Sequence, residues 1–133
     1  MRAKSFRQFV IESVNPDWRE LLQLGIIGPQ EIADGIIDEA AAELESRGIK
    51  IARFEGMTFF TYDSVERSAI GVKALTTDDE VRFIIADCGA RGWVHVDTLQ
   101  PYLDVMLNEP DRVIKDLVEA IDIEMTRAVK RSA

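Results

Sequence analysis

Apolar positions recur along this chain with two periods, and the change of period divides it. From Ser5 to Val14 the apolar residues Phe6, Phe9, Val10 and Val14 share one face at helical spacing, and Ser5 and Gln8 have capping-box spacing. Asn15-Pro16 breaks this helix and starts a second, with Asn15 as cap and Pro16 in the first turn. That helix carries Trp18, Leu21 and Leu22 and stops near Gly25. Gly28-Pro29 opens a third, in which Ile32, Ile36, Ala40 and Leu44 recur every four residues beside Ala33, Ile37 and Ala41. Gly48 stands where a C-terminal glycine cap belongs.

After Gly48 the period shortens to that of strands. Ile49 to Phe54 and Met57 to Tyr62 are rich in β-branched and aromatic residues, and Glu55-Gly56 between them predicts a tight hairpin turn. Ala69 to Leu75 and Glu80 to Ala86 predict a second hairpin across residues 76–79. Val81, Phe83 and Ile85 alternate with Glu80, Arg82 and Ile84, so one face is well buried and the other partly buried. Residues 88–92 are expected as a loop and Trp93 to Val96 as a short fifth strand. Helical spacing then returns. Thr98 is expected to cap a helix with Pro101 in its first turn, lined by Leu99, Leu103, Met106 and Leu107. Pro110 opens the last helix, with Val113, Leu117, Ile121 and Ala128 on one stripe and Ile114, Val118 and Met125 beside it. Asp111 near its start and Arg127, Lys130 and Arg131 near its end suit the helix dipole. The expected fold is α+β: N-terminal helices, a four- to five-stranded, mainly antiparallel sheet built from two hairpins, and two C-terminal helices packed on it. One domain is expected over residues 1–133, with 1–14 as a separate docking helix.

Composition narrows the function classes. Hydrophobic residues make up 47% and charged residues 30%, which is globular usage and excludes a disordered body. The net charge is −8, and no third of the chain is basic: bases and acids number five and nine over residues 1–48, six and eight over 49–97, and five and seven over 98–133. That balance argues against nucleic acid and anionic membrane and suits a basic protein partner or simple solubility; the partner is expected to be a protein, either a second copy in a homo-oligomer or another protein. Cys88 is the only cysteine, so no intramolecular disulfide is possible and a reducing compartment is expected. The N-terminus lacks the apolar core of a signal peptide, and no apolar run approaches the length of a membrane span.

Three clusters hold residues with chemical potential. Asp87, Cys88, His95 and Asp97 include a thiol with a histidine base, or donors for a divalent metal, and define a small hydrolase or metal enzyme as one alternative. His95 and Asp97 share a face if their strand is extended, where a solvated pair is the plain reading. Residues 26–62, helices followed by a hairpin, have the outline of a winged helix and define a regulator as a second alternative. Its reading helix, however, carries Asp34, Asp38, Glu39, Glu43 and Glu45 against Arg47, the wrong sign for phosphate. Gly89-Ala90-Arg91-Gly92 lacks the glycine spacing and lysine of a phosphate loop. Trp18 and Trp93 are expected in the core. No cofactor is implied.

Lys4-Ser5-Phe6-Arg7-Gln8-Phe9-Val10-Ile11-Glu12-Ser13 resembles the N-terminal capsid-targeting segment of internal head proteins in large contractile-tailed bacteriophages. That pattern runs lysine, small hydroxyl residue, aromatic, two variable positions, phenylalanine, aliphatic, any residue, glutamate, small residue. Here Arg2-Ala3 precedes the lysine, and Val10 stands where isoleucine or leucine is more typical. The resemblance implies cleavage by a head protease after Glu12 and a phage-encoded protein found in the virion or in the host cytoplasm. Together with the acidic surface it points to a non-enzymatic protein that acts by protein–protein contact, in head, neck or tail or on a host factor. Phe6, Phe9 and Val10 would be its contact residues.

Overall fold

The computed structural model describes residues 18–61, 69–77, 80–89 and 92–132. The expected helix over residues 5–14, with Phe6, Phe9, Val10 and Glu12, lies outside them, as does the Asn15-Pro16 cap.

Helix α1 (Trp18–Gln23) is short. Helix α2 (Pro29–Ser46) begins as its sequence predicts, with Pro29 at the first helical position and the Glu31 carboxylate accepting the Gly28 N–H at 2.6 Å. It ends at Gly48, whose φ of +92° favours glycine, and the Ile49 N–H turns back to the Leu44 carbonyl. Five strands follow: β1 (Lys50–Phe54), β2 (Met57–Thr61), β3 (Ile70–Thr76), β4 (Val81–Gly89) and β5 (Gly92–Leu99). They form one antiparallel sheet in chain order, with β1 and β5 as its edges. Glu55 and Gly56, both at positive φ, make the β1–β2 turn, the backbone a two-residue hairpin requires. Helices α3 (Leu103–Asn108) and α4 (Pro110–Ser132) close the chain, and the α+β architecture is the one the sequence predicts.

The described helices gather on one side of the sheet. Phe60, Ile70, Val72, Phe83 and Ile85 point inward and are fully buried against Ile32, Ile36 and Leu44 of α2 and Leu117 and Ile121 of α4. Each such side chain contributes roughly 1.5–3 kcal/mol on leaving water, which makes this layer the main source of stability. Trp18 closes the far end of the core over Gly35, and a methyl group added at Gly35 would meet its ring at 2.6 Å. Arg19 ties three helices together: its guanidinium donates to both Glu39 carboxylate oxygens at 2.9 Å and to Asp111. These bonds, to Glu39 first and Asp111 second, raise the Arg19 pKa further.

Several expectations are corrected. Residues 88 and 89 are not loop: β4 runs on to Gly89, and Cys88 and Gly89 pair with Trp93 and Gly92. The fifth strand is twice the expected length and reaches Leu99, so Thr98 caps no helix; its hydroxyl meets His95 Nε2 at 2.6 Å, and α3 starts only at Leu103, after Pro101. An edge strand needs few buried residues, which is why its polar sequence hides it. Finally, Trp93 is not a core residue, and Leu107 of α3 is exposed.

Candidate functional site

Strand alternation gives the sheet a second face that no described helix covers. Register places Phe54 of β1, Met57 and Phe59 of β2, Gly71, Lys73 and Leu75 of β3, Arg82, Ile84, Ala86 and Cys88 of β4, and Trp93 and His95 of β5 on it. Phe54 is 65% exposed, Trp93 52% and Leu75 48%; Met57, Phe59 and Ile84 are half-buried beside them. An apolar face this continuous is uncommon on a free protein surface.

Its centre is built by small residues. Trp93 enters from the β5 edge and reaches over β4, where Ala86 is small, to β3, where Gly71 has no side chain. A methyl group at Gly71 would come within 2.6 Å of the indole and 3.2 Å of Cys88 Sγ. The indole then meets Phe59 of β2 with ring centroids 5.4 Å apart and planes tilted by 53°, a favourable aromatic geometry. The pair forms a ridge across four strands, half in solvent.

Charge is sorted as well. Among described strand positions the titratable side chains on this face, apart from Cys88, are Lys50, Lys73, Arg82 and His95, all exposed, and none is a carboxylate. Acids stand at the rim: Glu55 in the first turn, Glu80 before β4, 3.9 Å from Arg82, and Asp97 on the edge strand. A chain of net charge −8 thus carries a cationic, aromatic face.

The predicted chemical cluster is taken apart. Cys88 lies on this face with its thiol toward the Ala86 carbonyl at 3.7 Å, while Asp87 points to the opposite side of β4. Burial pushes the Cys88 thiol up to about 11, away from the thiolate that a nucleophile needs. His95 bonds Thr98 rather than Cys88. Register slips by one residue at Val96, so His95 sits opposite Ala86 and Asp97 opposite Ile85, and the two do not share a face as an unbroken strand would have them. Asp97 accepts the Thr98 N–H at 2.8 Å. Among the described residues no three His, Cys, Asp or Glu side chains converge as metal ligands would. The winged-helix outline of residues 26–62 also changes meaning: the hairpin is not a free wing, because β2 pairs with β3, and α2 is a buried packing helix rather than a reading helix.

A cleft of about 570 Å³ opens where β3 runs past the β1–β2 turn, lined by Gln30, Asp34, Asp38, Arg53, Lys73 and Thr76. Burial raises the pKa of Asp34 and Asp38, but Asp38 pairs with Arg53 at 3.0 Å and Gln30 donates to Asp34 at 2.9 Å. These carboxylates already have partners within the fold.

Sequence reading missed the uncovered face. One signal was present: an isolated glycine inside a strand, Gly71, marks the close approach of another group. No protein-family model, no curated protein and no solved structure matches this chain.

Proposed function

We propose that this protein is a non-enzymatic contact module that binds another protein through the face of its sheet that no described helix covers. The observation that carries the reading is the Phe59–Trp93 ridge, held over Gly71 and left half in water between Phe54, Leu75 and Ile84. Exposed aromatics on a rigid sheet make good anchors, because ordering them on binding costs little entropy. The raised Cys88 pKa and the separation of His95 from Asp97 favour contact over catalysis. The N-terminal resemblance to phage head proteins supports a setting in particle assembly or in capture of a host factor.

Site-specific photocrosslinking tests this. A benzophenone amino acid is placed at position 93 and, as a control, at position 123, where Ile123 is 51% exposed on the helical side. In cells producing the protein, position 93 is expected to give a discrete protein adduct and position 123 none. Adducts from 123 alone, or from neither, overturn the reading.

A further inference from the structure

The charge on the uncovered face narrows what can occupy it. Lys73, Arg82 and His95 project from the same side as Phe59 and Trp93, and none of the described strand positions on that side is a carboxylate. We infer that the face takes an acidic protein segment bearing an aromatic or large aliphatic side chain: the apolar group seats against Trp93 and Phe59, and its flanking carboxylates meet Lys73 and Arg82. This inference rests on the contact reading above and adds the partner's chemistry to it.

Three other occupants fit less well. A second copy docking face to face would set Lys73 and Arg82 against like charges, with no carboxylate at a described strand position of the face, which disfavours that dimer. The chain's own residues 1–17 carry Arg2, Lys4 and Arg7 against Glu12 and Asp17, so their charge does not complement the face. A single-stranded nucleic acid would stack on the same aromatics, but it is a regular polyanion. Crossing the sheet would carry its phosphates past Glu55 and Glu80 and into the field of a molecule of net charge −8. An acidic protein segment brings only a few charges, set where the cations are.

Titration of Trp93 emission decides between them, with Trp93→Phe giving the constant contribution of the buried Trp18. The probes are random copolymers of glutamate and tyrosine or of lysine and tyrosine, a twelve-nucleotide oligothymidylate, and polyglutamate. The glutamate–tyrosine copolymer is expected to change Trp93 emission saturably, more tightly than polyglutamate and more weakly as salt rises. The Lys73→Glu/Arg82→Glu double variant, both positions being exposed, should keep its circular dichroism and weaken that binding at least tenfold. No response to the glutamate–tyrosine copolymer, or one indifferent to the double charge reversal, overturns the inference. A response to the lysine–tyrosine copolymer instead leaves the contact reading standing and removes the acidic partner. So does self-association that Trp93→Ala abolishes, seen by light scattering. Tighter binding of oligothymidylate than of either copolymer removes both.

Discussion

The two tryptophans of this chain occupy seats of similar construction and opposite fate. Trp18 lies over Gly35 and Trp93 over Gly71; in both places an added methyl group would meet the indole at 2.6 Å. Trp18 is 4% exposed between two helices and closes the core, whereas Trp93 is 52% exposed on the uncovered side of the sheet. A glycine beneath an indole therefore says that a ring is seated there, not why. The first seat serves the fold. The second holds an aromatic ring in a fixed place at a surface, which is what a contact anchor needs.

The difference can be broken experimentally, and the largest effect comes from emptying each seat. Trp18→Ala should lose about 3–5 kcal/mol of unfolding free energy in urea, the usual cost of deleting a buried indole. Trp93→Ala should lose about 1–2 kcal/mol, in proportion to the half of its surface that is covered. Equal losses would make Trp93 a core residue after all. Filling the glycines comes next. Gly35→Ala must push a buried ring and should cost about 1–3 kcal/mol, less whatever helix propensity it gains. Gly71→Ala should cost less, because the Trp93 ring can tilt into solvent, visible as a red-shifted emission more open to acrylamide. An unshifted emission would contradict that mobility.

Smaller effects sharpen the picture away from the sheet. Arg19→Ala removes the bidentate pair with Glu39, the contact with Asp111 and the stacking of the guanidinium 4.9 Å over Trp18. Partly exposed networks of this kind are worth about 1 kcal/mol, and the loss should shrink as salt rises. Cys88, with its thiol pKa raised by burial to about 11, should react slowly with a disulfide reagent at pH 8 and quickly only as the pH climbs past 10. Fast labelling at pH 7 would mean an activated thiolate and would restore the nucleophile reading.

Much of the fold was legible because local signals agreed. The four-residue recurrence from Ile32 to Leu44, the Gly28-Pro29 start and the Gly48 stop define α2 without tertiary information. Glu55-Gly56 defines the first hairpin in the same way. Strand β5 was obscured because it is an edge: only Val96 and Leu99 pack on the core, and His95, Asp97 and Thr98 resemble loop and cap residues until pairing with β4 is known. The candidate face was hidden for a different reason. Counting charge along the chain averages Lys50, Lys73 and Arg82 with acids that lie on helices and at the rim. Only register puts those cations beside Phe59 and Trp93. The contact residues expected from sequence, Phe6, Phe9, Val10 and Glu12, fall outside the described residues and stay a separate expectation.

Oxidative footprinting tests the central claim most directly, comparing Trp93, Phe54 and Met57 in the purified protein and inside cells that produce it. The account predicts strong modification of Trp93 and Phe54 in the purified protein and protection of all three in the cell, with Tyr102, exposed outside the sheet, equally reactive in both. Equal reactivity of Trp93 in both settings would contradict it, for the face would then meet water rather than a partner.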